Sequence, residues 1–255
     1  MKAIILSAGQ GKRLLPLTKD RPKCLIGLEG QSILEWQVDV LHYAGIREIV
    51  VVVGYKAEKV ESLLRQRYGP LAPRTIFNPD YDRADNLWSC WRAKGEMEGP
   101  FVLLNGDTLF EPEILERLLA SKGYPITVTI NRKKKYDDDD MKVVIQADRL
   151  LAIGKGLPLE RVGAESIGLL KFDEEGARLF RESLDEAVKE KDSVKRWYLS
   201  VINHLAQKSV VGICDITGLR WCEIDYPKDL VQAGAVVKRI REVLGAPSVL
   251  AMSAR

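Results

Sequence analysis

Three short runs of almost unbroken apolar residues, each stopping at a glycine or polar turn, set the tightest limit on the fold. Lys2-Ala3-Ile4-Ile5-Leu6 leads into a glycine-rich turn, Glu48 to Val53 stops at Gly54-Tyr55, and Pro100 to Leu104 runs on through Asn105-Gly106 to Asp107. A strand with one wet face alternates apolar and polar side chains, whereas an unbroken run is covered on both faces. Between these runs, Ile33 to Ala44 carries Ile33, Leu34, Trp36, Val38 and Leu41 at roughly helical spacing, and Lys56 to Tyr68 is helical again. Strands alternating with amphipathic helices predict an α/β chain whose parallel sheet lies between helical layers.

The later chain is less regular. The pattern predicts a strand at Thr75 to Phe77, a helix over Pro112 to Ser121, a strand over Ile126 to Asn131, and a charged insert from Lys133 to Asp140. A hairpin follows (Lys142 to Ile145 with Leu150 to Ile153), then a strand over Ser166 to Phe172. Helices are expected over Glu174 to Lys189 and Val194 to Ala206, strands over Val210 to Ile216 and Trp221 to Ile224, and a last helix over Asp229 to Leu244. Residues 245–255 read as an arm or tail.

Charge narrows the partners. Of 255 residues, 39 are Lys or Arg and 36 Asp or Glu, a formal net charge of +3 with no basic arm. That balance argues against nucleic acid and for a small anionic ligand met by a local basic site. No run approaches the roughly 18 apolar residues a membrane span needs, and the first apolar stretch is too short for a signal peptide. Cys24, Cys90, Cys214 and Cys222 are scattered without a CxxC pair, so reduced, buried thiols in a cytoplasmic protein are expected, with no disulfide framework or zinc site. Asp137 to Asp140 reads as a solvated loop. His42 and His204 lie in helical patterns and are expected to be structural.

The chemistry concentrates after the first strand, in Leu6-Ser7-Ala8-Gly9-Gln10-Gly11-Lys12-Arg13-Leu14, then Pro16-Leu17-Thr18 and Arg21-Pro22-Lys23-Cys24-Leu25. Glycines there let backbone N–H groups converge on an anion, and Arg presents a planar fork to phosphate oxygens. A Walker A loop needs Ser or Thr after Gly-Lys, and here Arg13 follows. A dinucleotide fingerprint needs a third glycine where Leu14 stands.

With these residues the chain resembles the nucleotidyltransferases that make nucleotide-sugars and CDP-linked alcohols. Their signature runs approximately LxAGxGxRLxPLTxxxPKxL, against LSAGQGKRLLPLTKDRPKCL here, and the resemblance continues through Asn105-Gly106-Asp107 to Glu223-Ile224-Asp225-Tyr226-Pro227-Lys228-Asp229-Leu230. It implies a Rossmann-like three-layer fold with a mixed, mostly parallel central sheet. One domain over 1–244 is expected, with a nucleotide half (1–131), a substrate half (132–225) and a C-terminal helix (226–244). The implied reaction joins a nucleoside triphosphate to a phosphate monoester and releases pyrophosphate. The triphosphate falls to Ser7, Ala8, Gly9, Gln10, Gly11, Lys12 and Gly106, catalysis to Arg13 and Lys23, and a Mg2+ cofactor to Asp107 and Asp225. The alternative for each aspartate is a turn or cap residue.

Asn78-Pro79-Asp80-Tyr81 with Asn86-Leu87-Trp88-Ser89 resembles the cytidylyltransferase branch, which acts on phosphocholine, aminoethylphosphonate or inositol phosphate. It implies CTP, with Asn78, Asn86 and Ser89 reading base and ribose; Asn86 as a helix cap is the other reading. Acceptor contacts are expected from Lys142, Lys155, Glu165 and Trp197, with Tyr136, Trp197 and Tyr198 as a candidate aromatic box for a quaternary ammonium. A sugar-1-phosphate transferase using UTP, dTTP or GTP and a non-catalytic nucleotide-binding subunit remain the alternatives, and a homodimer stays open.

Overall fold

The computed structural model describes residues 1–245. In chain order the elements are β1 (Lys2–Ser7), β2 (Gly27–Leu28), β3 (Gln31–Ser32), α1 (Ile33–Tyr43), β4 (Glu48–Val53), α2 (Ala57–Tyr68), β5 (Arg74–Phe77), α3 (Asn86–Arg92), β6 (Phe101–Asn105) and β7 (Thr108–Phe110). They continue with α4 (Pro112–Ala120), β8 (Ile126–Asn131), β9 (Lys142–Gln146), β10 (Arg149–Gly154), β11 (Ala164–Phe172), α5 (Glu174–Ala187), α6 (Leu199–Ala206), β12 (Val211–Asp215), β13 (Trp221–Glu223) and α7 (Asp229–Leu244).

Among the described residues, nine strands form one mixed sheet in the order β5-β4-β1-β6-β11-β8-β12-β10-β9. The three apolar runs are its neighbouring parallel strands, with Ile4 paired to Val50 on one side and to Leu103 on the other. Antiparallel pairings collect in the second half, where β11 meets β6, β8 and β9. One apolar core, holding side chains of α1, α2, α4 and α7, covers one face; the other, with α3, α5 and α6, covers the opposite face. The unbroken hydrophobicity of β1, β4 and β6 follows from that double cover.

Local chemistry explains the joins. A reciprocal capping box of Ser32 and Glu35 starts α1, and the Asp173 side chain accepts from Gly176 N at the head of α5. The chain departs from the sequence expectation at Val194 to Ala206, where only Leu199–Ala206 is α-helical. The preceding residues make a single 3₁₀ turn and then extend, because their backbone serves the start of α3. Asp85 N donates to Val194 O at 2.8 Å, Leu87 N to Arg196 O at 3.3 Å, and Tyr198 N to Asn86 Oδ1 at 3.0 Å. This interruption turns Trp197 outward and drives Tyr198 fully inside. The β2–β3 hairpin and β7 are further elements that periodicity did not predict, while α3 (Asn86–Arg92) is the helix implied by the alternative reading of Asn86. Residues 246–255 of the expected tail lie outside the described residues, and among the described ones no helix is long and apolar enough to cross a membrane.

Candidate active site

The site grows from the ends of β1 and β6. Gly11 sits at φ 75°, and a Cβ there would come within 2.8 Å of Lys23 Cβ, so glycine is needed both for the left-handed turn and for the passage of Lys23. Thr18 Oγ1 donates to Gly11 O at 2.9 Å and ties the loop back on itself. Lys23 begins a 3₁₀ turn after Pro22, and Arg13 lies in another after Gly11.

Asp107 occupies the turn between β6 and β7, and Asp225 follows β13. β13 pairs antiparallel with β7, Glu223 opposite Thr108, and Ile224 N donates to Asp107 O at 3.1 Å. This short ladder sets the two aspartates side by side. The Lys23 ammonium donates to Asp107 Oδ2 at 2.7 Å and to Asp225 Oδ1 at 2.6 Å, while Arg13 donates to Asp225 Oδ2 at 2.7 Å and to the Tyr226 hydroxyl at 3.2 Å. Burial alone would lower the Lys23 pKa, but the two carboxylates outweigh it and hold the ammonium charged. Burial likewise pushes the Asp225 carboxyl up, and Lys23 and Arg13 bring it below the usual range. Glu223 presents surface to the cleft yet is crowded by protein; that crowding, with Asp107 and Asp225 nearby, pushes its carboxyl up to about 8.

A cavity of about 240 Å3 opens over this cluster, its wall including Arg13, Asp107, Asp225, Glu223, Lys155 and Trp197. A second of about 240 Å3 shares Leu6, Asn86 and Trp197 with it and is walled further by Ala8, Gly9, Tyr81 and Ser89. Asp107 Oδ1 is buried and, among the described residues, has no hydrogen-bond partner. A carboxylate oxygen without a partner, beside a second carboxylate, suits a hard cation such as Mg2+, which takes one or two carboxylates and completes its shell with water and substrate oxygens. No group of three or more His, Cys, Asp or Glu among the described residues is arranged to hold a metal, so the pair fits an ion shared with a phosphate ligand and not a closed cage.

The predicted residues divide accordingly. Arg13, Lys23, Asp107 and Asp225 converge; Ala8, Gly9, Asn86, Ser89, Lys155 and Trp197 line the two cavities. Ser7 is buried, with its hydroxyl where a Cβ on Gly106 would fall, so both pack β1 against β6; Gln10 and the exposed Lys12 belong to the loop without lining either cavity. Asn78 is fully buried, and its amide is consumed by Ser89 Oγ and Asp80 N, at 3.0 and 2.9 Å, which removes it as a reader of the base. Asn86 is the first residue of α3 and not its cap; its Oδ1 takes the Tyr198 N–H. On the acceptor side, Lys142 is buried and donates to Lys155 O, and Glu165 pairs with Lys133, so neither reaches the cavities. The aromatic box does not assemble. Tyr198 is buried in the core, Tyr136 receives a hydrogen bond from Lys133 N, and Trp197 alone reaches the cleft, with Lys155 Nζ 5.0 Å from its ring. All four cysteines are buried and unpaired by disulfides, and the Asp137 to Asp139 loop is exposed. His42 packs on Tyr68, and His204 faces a groove between α5 and α6.

Residues that sequence reasoning missed include Tyr81, Asn105, Met141, Ser166 and Gly168. Gly168 carried a readable signal, since an isolated glycine in an apolar strand marks a bulge or a close approach. It has φ +72°, the β11 register shifts around it, and a Cβ would lie 2.3 Å from Asn105 Nδ2.

Known proteins resemble this chain in sequence and in fold. The family model described as nucleotidyl transferase matches residues 2–147. The chain is 28% identical over 234 residues to the bifunctional IPC transferase and DIPP synthase of Aquifex aeolicus, covering 91% of this chain but 50% of that protein, so it spans about half the length of that relative. It is 27% identical over 252 residues to the CTP:phosphoglutamine cytidylyltransferase of Campylobacter jejuni, covering 90% of this chain and 98% of that one. The inositol-1-phosphate CTP transferase of T. maritima superposes with a TM-score of 0.82 at 21% identity, over 96% of this chain and 97% of that one, and shares the fold. The signature loop, the paired aspartates and the sheet that joins them thus have one common explanation: the chain belongs to the nucleotidyl transferase family.

Proposed function

We propose that the protein is a Mg2+-dependent cytidylyltransferase that transfers CMP from CTP to a small phosphate or phosphonate monoester, releasing pyrophosphate. The observation that carries this reading is the convergence of Arg13, Asp107 and Asp225 on one cavity, with Lys23 hydrogen-bonded to both carboxylates. The names of the Campylobacter jejuni and T. maritima relatives support cytidine as the base and a small phosphorylated acceptor.

In the reaction an acceptor phosphate oxygen attacks the α-phosphorus of CTP, a P–O bond forms, and the bond to the β-phosphate breaks with both electrons leaving on pyrophosphate. The acceptor oxygen is already ionised at neutral pH, so no general base is required, and the obstacle is repulsion between two anions. Backbone N–H groups of the loop from Ala8 to Gly11 hold the triphosphate, and Arg13 receives the charge that grows on the leaving group. Lys23 turns from the carboxylates to the phosphates between which the bond is exchanged. Mg2+, held by Asp107 and Asp225, would neutralise phosphate charge and orient the α-phosphate. Trp197 lies where the two cavities meet, Lys155 stands beside it in the first cavity, and both border the acceptor.

Pyrophosphate release measured with CTP, UTP, dTTP, GTP and ATP against phosphocholine, inositol 1-phosphate and 2-aminoethylphosphonate tests the reading. CTP is expected to support turnover with at least one acceptor. Activity confined to another triphosphate would defeat it.

A further inference from the structure

Helix α1 buries Ile33, Leu34, Trp36, Val38, Val40 and Leu41, and in the middle of that apolar stripe it also buries an amide, Gln37, at 1% exposure. A primary amide in such a place is costly unless its protons are satisfied. Gln37 Nε2 donates to Asn105 O at 2.8 Å and to Thr108 O at 2.9 Å. Those carbonyls belong to the last residue of β6 and the first of β7, and the two residues they bracket are Gly106 and Asp107. The same clamp reaches Asp225, because Thr108 is paired with Glu223 and Asp107 O accepts from Ile224 N.

We propose that Gln37 is a positioning residue for the divalent cation, setting the separation of Asp107 and Asp225 through the main chain without touching substrate or metal. The inference rests on the reading above for the identity of the ligand pair. Gln37 projects from a helix whose first turn is locked by its own capping box, so the clamp is anchored to a rigid element. Partners that orient metal ligands typically change metal affinity or activity about 10- to 100-fold when removed.

The test is a Mn2+ titration, free Mn2+ read by electron paramagnetic resonance, with no CTP and no acceptor. Gln37→Met keeps the length and loses both donors; its Mn2+ half-saturation is expected to rise about 10-fold or more, with the Mg2+ half-saturation of CTP turnover rising in parallel and the KM for CTP little changed. Gln37→Asn, one methylene too short to span both carbonyls, is the variant to use if Gln37→Met does not fold, and a rise in the same direction is expected. Folded variants that bind Mn2+ like the wild type, with only a lower Tm, would overturn the inference and leave the activity reading intact. Wild-type protein that binds Mn2+ through Gln37-dependent geometry yet turns over no CTP would sink the activity reading alone. Wild-type protein that binds no Mn2+ would overturn the inference, while CTP turnover judges the activity reading separately, because the pair fits an ion shared with a phosphate ligand.

Discussion

Lys23 and Asp107 are joined by a hydrogen bond of 2.7 Å whose ammonium also serves Asp225 at 2.6 Å, so one lysine occupies the space between the two carboxylates. Taking that cation away leaves two facing anions in a half-buried cleft, and a divalent ion is the natural replacement. Lys23→Met is therefore expected to bind Mn2+ alone about 10-fold more tightly than the wild type, while turnover of CTP falls by roughly 10²- to 10³-fold because the proposed phosphate contact is lost. Its Tm should drop in chelator and recover on adding Mn2+. A Lys23→Met protein with unchanged Mn2+ affinity would show that the lysine does not compete for the pair.

Asp80 is 2% exposed and holds the loop that carries Tyr81 and Asn86 to the second cavity. It accepts from Arg92 Nη2 at 2.6 Å and pairs with Arg83, and these guanidinium bonds hold its carboxyl below the usual range. Asp80→Asn is expected to lower stability by about 1–3 kcal/mol, the usual worth of hydrogen bonds to charged groups at a partly exposed cluster. It should also raise the KM for CTP more than it lowers kcat. Urea denaturation and steady-state kinetics check both halves.

Much of this was readable before the structure, for physical reasons. Period and burial are local properties of a chain, so β1, β4, β8, α1 and α7 lie where apolar spacing predicts them. The turn after β1 was legible because glycine there frees the backbone to turn left-handed, as Gly11 does at φ 75°. What failed were elements defined by a distant partner. The region before α6 reads as helix from spacing alone, yet its carbonyls are claimed by Asp85 and Leu87 from more than a hundred residues earlier in the chain. Asn78 reads as a recognition amide until its burial against Ser89 is seen. Lys142 and Glu165 have suitable chemistry, and only tertiary placement shows that it is spent on Lys155 and Lys133.

Trp197 is 38% exposed and stands in the wall common to the two cavities, with Lys155 Nζ 5.0 Å from its ring centre. Cutting it to alanine removes a cation–π contact worth about 0.5–1 kcal/mol at an exposed site and frees Lys155 to wander. Trp197→Ala should raise the KM for CTP and for the acceptor together, each by roughly 2- to 5-fold. A rise confined to one substrate would assign the indole to one cavity, and no rise in either would remove it from the site.

Far from the cleft, Glu96 ties β1 to β5 by accepting from Lys2 at 2.6 Å and from both Arg74 terminal nitrogens at 2.8 and 2.7 Å. Its hydrogen bonds to Arg74, and then to Lys2, bring the carboxyl down to about 2. A carboxyl held lower in the folded state than in the unfolded chain stabilises the fold wherever it is ionised in both. That contribution is intact above the ordinary carboxyl range and is lost as pH falls toward 2, because the unfolded chain takes up the proton first. The wild type should therefore lose stability more steeply than Glu96→Gln as pH falls from about 5 toward 2. Above that range the two proteins should differ by a constant offset, small because Arg74 is largely exposed and its pairing is screened. Thermal melts by circular dichroism at half-unit pH steps give both slopes, and parallel curves throughout would mean that Glu96 carries no linkage between protonation and folding.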